Sequence, residues 1–289
     1  TLSFSIPDST VLLGGYGQRP DTLIRNWQCN KTILCGDIDQ DGTLSNNSYH
    51  VVTTINVNEQ TVVDGFCITG GNANGSSVPA NFGDGWYNNG SGTGNRSNPN
   101  LLNLVISENN ASQGDAMFNE GTDGKSSPTL TNVLIIENTA GDDGGAMFNE
   151  GTGGISSPIL TNVVISGNSA GDAGGGMVNI GYFGNSSPLL TNVVINGNKA
   201  SYGGGMFNFG FQGICIPVVT NSILWNNTAT VDGPLFANDG GGPIVSYSII
   251  QGTSNNINDP SITSLGGTTD AGSNKFQADG VNPKFINAP

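Results

Sequence analysis

The feature that most constrains the fold is a repeat of 29 to 30 residues between Asn98 and Asn238. Three copies begin SSPTLTNVLIIEN (126–138), SSPILTNVVISGN (156–168) and SSPLLTNVVINGN (186–198). The turn prolines are separated by 29, 30, 30 and 29 residues; they are Pro99, Pro128, Pro158, Pro188 and Pro217. A period this regular predicts a stacked repeat architecture.

Each repeat holds three short apolar runs rich in β-branched residues and separated by Gly, Asn, Ser and Pro. These are strand and turn signals, and no repeat has an apolar stripe at helical spacing. The 45 glycines also disfavour helices. A three-stranded unit buries its apolar face only when the next unit stacks on it. The sequence therefore predicts an all-β, right-handed parallel β-helix of about eight or nine coils, with the hand expected from the crossover rule.

Superposing the repeats gives columns of like residues. Two aliphatic columns are Ile106, Ile135, Ile165, Ile195, Leu224 and Leu101, Leu130, Leu160, Leu190, Val219. Three asparagine columns follow the same period: Asn88, Asn119, Asn149, Asn179, Asn208, Asn238; Asn109, Asn138, Asn168, Asn198, Asn227; and Asn103, Asn132, Asn162, Asn192, Asn221. Stacked aliphatic side chains predict the interior, while stacked Asn predicts amide ladders and left-handed turns rather than catalysis.

The domain organisation follows from where the strand signals stop. We predict one domain, with the parallel β-helix over 1–252, its regular repeats over 98–238, and a C-terminal capping tail over 253–289. Open ends of a β-helix expose unpaired strand edges, which a protein must cover or use. If the ends stay bare, subunits can stack end to end into a fibre.

Charge and composition limit the partners. The formal net charge of −14 and pI near 4.1 argue against nucleic acid and anionic membranes. No apolar run reaches transmembrane length and no signal peptide is present, so we expect no membrane insertion. Only 10% of residues are charged, while Gly, Asn, Ser and Thr abound, which is typical of an extracellular β-solenoid. We expect a secreted or cell-surface protein.

A resemblance to a known family rests on motifs in order over residues 8–252. LLGGYG (12–17), RNW (25–27), TILCGDIDQDG (32–42) and VVDGFCITGGNANG (62–75) precede the SSPxLTNV and GGGMxN repeats. This order resembles parallel β-helix proteins of the pectate-lyase-like superfamily, most of all the secreted bacterial choice-of-anchor surface proteins. The resemblance implies the fold and a surface location. It implies no single activity, because the superfamily includes lyases, hydrolases, adhesins and inert stalks.

The strongest chemical motif is Asp37, Asp39 and Asp41 before Gly42. Alternating carboxylates before a glycine bend resemble the first half of a calcium loop. Ser48 occupies the twelfth position, where an EF-hand needs Glu, so a full EF-hand is not expected. We predict a calcium site completed by backbone carbonyls or Asp64, which would hold the N-terminal coils; the alternative is a solvated acidic turn.

Two further sets of residues are candidates for structural or binding roles. Cys29 and Cys35 can form a local disulfide in a secreted protein, or remain free. The column Tyr87, Phe118, Phe148, Val178, Phe207 lies beside the methionine column, and strand alternation would turn it outward as a contact for a glycan or partner. The competing interpretation, which we favour, buries these rings, either inside or under Gly-rich loops such as 151–157 and 181–187.

These features favour a structural or adhesive module that assembles end to end into a fibre or binds a polysaccharide. The alternative is a polysaccharide lyase or glycoside hydrolase with its groove lined by acidic turns. Such an enzyme needs Lys or Arg converging on Asp115 or Asp143. The eight basic residues are scattered and His50 reads as a structural strand residue, so the sequence does not favour catalysis.

Overall fold

The computed structural model describes residues 2–17, 24–114, 116–252, 256–260, 262–264 and 267–277, and it is all-β. The chain winds as a solenoid in which each coil gives one strand to each of three long sheets. Neighbouring strands in these sheets are parallel, and they come from successive coils. The prediction of a parallel β-helix is therefore confirmed. The described residues contain no helix with the length and apolar character needed to cross a membrane.

The three long sheets are each nine strands deep. Sheet 1 consists of Phe4–Ile6, Val52–Ile55, Trp86–Asn89, Met117–Glu120, Met147–Glu150, Met177–Ile180, Met206–Phe209, Phe236–Asp239 and Thr263–Ser264. Sheet 2 consists of Val11–Leu13, Val62–Asp64, Asn100–Leu102, Thr129–Thr131, Ile159–Thr161, Leu189–Thr191, Val218–Thr220, Ile244–Ser246 and Thr269–Asp270. Sheet 3 consists of Thr32–Cys35, Phe66–Thr69, Val105–Ser107, Leu134–Ile136, Val164–Ser166, Val194–Asn196, Ile223–Trp225, Ile249–Ile250 and Lys275–Phe276.

A fourth sheet is present that the sequence pattern does not predict. Sheet 4 consists of Asn72–Ala73, Asn110–Gln113, Thr139–Asp143, Ser169–Ala170, Lys199–Tyr202 and Thr228–Asp232. A short pair, Arg96–Ser97 with Lys125–Ser126, completes the strands. Sheet 4 is formed by polar residues and glycine rather than by an apolar run, which explains why periodicity alone did not reveal it.

The aliphatic columns fill the interior. Ile106, Ile135 and Ile165 are fully buried and occupy equivalent positions in adjacent strands of sheet 3. Trp86 and Met117 are aligned in the same way in sheet 1. Each fully buried aliphatic side chain contributes about 1.5–3 kcal/mol relative to exposure. The sum over stacked coils offsets the conformational entropy that no single coil could offset.

The asparagine columns are structural, as predicted. In the buried ladder at the end of sheet 1, Asn119 Nδ2 donates to Asn149 Oδ1 at 2.9 Å, and Asn149 Nδ2 donates to Asn179 Oδ1 at 2.8 Å. A second buried ladder includes Asn138 and Asn168, with Nδ2 to Oδ1 at 2.9 Å. The third column, Asn103, Asn132, Asn162, Asn192 and Asn221, has φ between 51° and 57°. Asn tolerates this left-handed geometry, so the column makes the sheet 2 to sheet 3 turn.

The described part of the predicted capping tail continues the solenoid. Thr263–Ser264, Thr269–Asp270 and Lys275–Phe276 pair in parallel with the last strands of sheets 1, 2 and 3. Phe276 is buried at the end of the core. These two-residue strands form a further coil rather than an irregular wrap. The tail residues 253–255, 261, 265–266 and 278–289 lie outside the described residues.

Candidate functional site

The acidic triad of the calcium motif converges in the structure. Carboxylate oxygens of Asp37, Asp39 and Asp41 lie within 4.8 Å of one another. One oxygen of each holds its own loop: Asp37 Oδ2 accepts the Gly42 N–H at 3.1 Å. Asp37 Oδ1 is buried and has no hydrogen-bond partner within the described residues. Hard oxygen donors with an unpaired buried carboxylate oxygen fit a divalent cation such as calcium.

Asp64 does not join this triad. Its carboxylate forms an ion pair with Arg25, with Arg25 Nη2 2.6 Å from Asp64 Oδ1, and accepts Asn103 Nδ2 at 2.7 Å. The hydrogen bond to Asp64 raises the pKa of Arg25. Asp64 therefore ties the 24–27 segment to sheet 2, and its predicted role as a fourth calcium ligand is corrected.

The predicted disulfide is absent. Cys29 and Cys35 are both exposed free thiols, and Cys67 and Cys215 are free as well. Cys215 is buried, and burial raises the pKa of its thiol to about 12. A buried thiol with a raised pKa is unreactive, so Cys215 is a packing residue.

The predicted aromatic column is covered. Tyr87, Phe118 and Phe148 are buried, and Phe207 is half-buried. The rings stack along the axis, with Phe118 and Phe148 centroids 5.0 Å apart. Burial removes the first three rings as a surface for glycan contact, and it leaves only part of Phe207 accessible.

The residues that cover this column belong to sheet 4 and its following turn. Ala173, Tyr202 and Phe82 pack on the outward rings of sheet 1. Gly114 and Gly144, both with positive φ, lie so close that a Cβ on either would be within about 3 Å of Phe148 Cβ. The column is therefore buried outside sheet 1, under these glycine turns and not under loops 151–157 and 181–187.

A different aromatic cluster is exposed, and the sequence analysis missed it. We call four residues the aromatic patch: Tyr182, Phe183, Phe209 and Phe211. Phe209 ends a strand of sheet 1, and the other three lie on the turns that follow sheet 1 in two adjacent coils. Tyr182 and Phe211 stack with centroids 5.4 Å apart, and Phe183 meets Phe211 edge to face at 5.9 Å. Tyr182, Phe183 and Phe211 are 37%, 52% and 47% exposed.

A signal for this patch was present in the repeat. The equivalent turns read GTDGKSS (121–127), GTGGISS (151–157), GYFGNSS (181–187) and GFQGICI (210–216). Backbone hydrogen bonds confirm the register, because Gly153 N–H donates to Tyr182 O and Phe183 N–H donates to Phe211 O. Tyr182 and Phe211 thus occupy the position that Thr122 and Thr152 occupy in the two earlier coils. This departure from an otherwise strict repeat is the sequence signal that marks the patch.

Acidic residues on the turns serve mainly to hold the backbone. Glu120 and Glu150 are aligned neighbours in sheet 1. Glu150 Oε1 accepts the Thr152 N–H at 3.1 Å and also its hydroxyl. Burial, with a smaller contribution from the charge of Glu120, raises the pKa of Glu150. This Glu–Thr clasp closes the turn in the two coils that lack aromatic residues there.

Among the described residues, those considered for catalysis do not converge. Asp115 lies outside the described residues. Asp143 Oδ1 accepts the Ala173 N–H at 3.0 Å; burial, followed by the charges of Asp172 and Asp142, raises its pKa. His50 is buried, stacks on Tyr87 with centroids 5.1 Å apart, and its Nδ1 lies 3.0 Å from Gly83 O. Burial lowers the pKa of His50, which is consistent with the predicted structural role.

One polar groove follows the solenoid surface. It encloses about 350 Å³ and is lined by Glu59, Asn98, Lys125 and a serine column. The serines are linked, because Ser157 N–H donates to Ser127 Oγ and Ser187 N–H donates to Ser157 Oγ. Glu59 is held by Asn98 Nδ2 at 3.0 Å, a hydrogen bond that lowers the pKa of Glu59.

Comparison with known proteins adds no assignment. No protein-family model, curated protein or solved structure matches this chain.

Proposed function

We propose that the protein is an extracellular structural and adhesive rod that associates end to end with a second copy through its first coil. The observation behind this proposal is the unfinished rung at the N-terminal end. Phe4 aligns with Val52 and Trp86 in the core column of sheet 1, yet Phe4 is 48% exposed. Leu2, beside it, is 77% exposed.

The shape of this end favours a second copy as the partner. Within the described part of the chain, three strands each pair with one neighbouring strand: Phe4–Ile6, Val11–Leu13 and Thr32–Cys35. Three strand edges therefore lie open there around one coil. Open edges are templates for further pairing. Another β-helix end offers three matching edges and an apolar rung together. The last described coil has only two-residue strands, which makes it the less adhesive end.

Calcium would support this interface. A cleft of about 500 Å³ at the N-terminal end is lined by Leu2, Phe4, Cys35, Asp37 and Ile38, among others. The acidic triad therefore lies on the loop that borders the open rung. A calcium ion held by Asp37, Asp39 and Asp41 would offset two of the three negative charges there and fix the loop.

We propose a relationship to secreted surface β-helix proteins on the motif order described above. The fold supports it at the level of architecture. An extracellular location agrees with the acidic, charge-poor composition. Contact with a polysaccharide is the adhesive part of the proposal.

A glycoside hydrolase is the second candidate, because the largely buried carboxyl of Asp143 lies near those of Asp142 and Asp172. Burial and these neighbours raise the pKa of Asp143. Neighbouring carboxyl groups, one of them more buried than the others, are the arrangement from which glycoside hydrolases build an acid and base pair. Release of reducing ends from a neutral polysaccharide, lost in D143N and retained in D123N, would support catalysis. No release over a broad substrate panel would reject it.

The rod proposal is tested by the assembly state of the purified protein in calcium and in chelator. Sedimentation velocity and electron microscopy should show end-to-end pairs or fibres, which F4D should reduce to single rods. V231D is the matched control, since Val231 is 60% exposed on sheet 4, away from the end rung. Single rods of the unaltered protein in both conditions would overturn the proposal.

A further inference from the structure

The aromatic patch has no evident role in holding the fold. In the two coils before it, the same turn is closed by a hydrogen bond from the Thr122 or Thr152 N–H to a glutamate. Those turns have the same backbone pairing as the turns of the patch. Ile180 and Phe209 stand where the earlier coils have these glutamates, yet the Gly184 and Gly213 N–H groups still close the turn onto the carbonyls of the glycines three residues earlier. The backbone closes this turn in all four coils, so the rings are additions to it. Exposed aromatic residues at such a position indicate contact with a ligand.

The next coil leaves one side of the patch uncovered. Phe209 aligns with Asp239 in sheet 1, and the chain continues as Gly240, Gly241 and Gly242. A Cβ placed on Gly240 would lie 3.6 Å from Phe211 N, so this glycine turn directly follows the Phe211 turn. Because three successive glycines have no side chains, nothing from that turn can shield the ring of Phe211.

The size of the patch favours a small ring-shaped ligand unit over a protein. At about 200 Å² for each aromatic side chain, the exposed fractions of Tyr182, Phe183 and Phe211 amount to roughly 300 Å². A stable protein interface covers about 800 Å² on each partner. An area of roughly 300 Å² matches one or two sugar rings.

The carboxylates beside the patch favour a neutral ligand over an anionic one. Within sheet 1, the patch is bracketed along the axis by Glu150 on one side and Asp239 on the other. Carboxylates accept hydrogen bonds from hydroxyl groups and repel anionic sugars. The negative face of an aromatic ring attracts the polarised C–H groups on the flat side of a pyranose.

We propose that Tyr182, Phe183 and Phe211 form a binding subsite for a neutral polysaccharide, with a pyranose ring stacked on Phe211 and its hydroxyls donating to Asp239. This inference rests on the adhesive part of the proposed function and names its ligand class. It is independent of the end rung, which lies in the first coil.

The test uses variants that restore the residues of the earlier coils. Y182T/F211T places threonine where residues 122 and 152 have it and leaves the backbone hydrogen bond that closes each turn, such as Gly184 N–H to Gly181 O, so the turn should close normally. Affinity gel electrophoresis in soluble neutral glucans, mannans and xylans should retard the unaltered protein, and the double variant should bind at least tenfold more weakly. D239N should weaken binding severalfold. Y247N is the control, because Tyr247 is 63% exposed outside the patch and its φ of 51° suits Asn.

The outcomes separate the two proposals. Loss of glycan binding in Y182T/F211T with unchanged sedimentation supports the subsite, whatever the assembly state proves to be. Equal retardation of the double variant and the unaltered protein overturns it, as does retardation only by anionic polygalacturonate. If no neutral glycan binds and the double variant changes sedimentation instead, the patch is a contact between copies and the glycan subsite is rejected.

Discussion

The ring of Phe211 stacks on the ring of Tyr182, with their planes inclined by 15°. The two residues lie at equivalent positions of adjacent coils. The equivalent positions in earlier coils are Thr152 and Thr122. The same backbone turn thus carries a glutamate–threonine hydrogen bond in two coils and stacked aromatic rings in the next two. This exchange separates what the fold needs at the turn from what the surface presents there.

The buried amide ladder should be a major contributor to stability. N149A would leave the Asn119 Nδ2 donor and the Asn179 Oδ1 acceptor without their partner in the core. Each orphaned buried group costs about 1–3 kcal/mol, so we expect a loss of about 2–5 kcal/mol. Urea unfolding monitored by circular dichroism measures it.

The matched control for the ladder is N162G. Asn162 belongs to the exposed column with φ of 56°, which glycine adopts freely. We expect N162G to cost under about 1 kcal/mol. Equal losses in both variants would contradict a special contribution from the buried ladder.

Asp84 should make stability depend on pH. Its side chain is fully buried, and desolvation raises its pKa well above the ordinary value. Between the unfolded and folded pKa values the folded state binds a proton that the unfolded state lacks, so stability falls as pH rises, by about 1.4 kcal/mol per pH unit. Stability is greatest at or below the unfolded pKa.

D84N cannot titrate, so its unfolding midpoint should vary less steeply with pH above about 4. Urea midpoints from pH 4 to 8 measure the slope, with exposed D123N as the control. If D84N keeps the slope of the unaltered protein, the buried carboxyl is not its source.

Calcium should stabilise the N-terminal coils. At about 100 times its Kd, a cation that binds only the folded state adds about 2.7 kcal/mol. We expect a higher Tm and slower proteolysis of the 37–48 loop in calcium than in chelator. D39N/D41N should abolish both effects. The control D123N should retain them, because Asp123 is also exposed but lies outside the triad, and its φ of 53° suits Asn. An identical response in D39N/D41N would exclude the triad as the site.

Thiol reactivity checks the absence of the disulfide. Cys29 and Cys35 should both react quickly with Ellman's reagent in the native protein, because both are exposed and free. Cys215 should react only on unfolding, since its pKa is about 12. Intact mass after alkylation counts the adducts. A native protein that lacks two fast thiols and gains them on reduction would show that the bridge forms.

The period of the sequence determined the architecture by itself. Prolines and methionines at 29 to 30 residues fix the coil length, and alternation within each strand places Ile135 and Leu130 inside. The asparagine columns were likewise readable, because in-register stacking makes like residues neighbours. These are local or nearest-coil relationships, which a repeat writes directly into the sequence.

Only the tertiary structure decided what lies on the outer faces. Tyr87, Phe118 and Phe148 alternate outward as expected, but sheet 4 folds over them. The glycines of the covering turns, such as Gly114 and Gly144, repeat with the coil, yet their period does not show which side chains they cover. Asp64 meets Arg25 across 39 residues of sequence, through an irregular segment that no repeat predicts. The exposure of Phe211 depends on Gly240–Gly242 in the next coil. Whether a side chain on the outer face of the β-helix is buried depends on neighbours that the repeat period does not specify. The outer surface could therefore be described only from the tertiary structure.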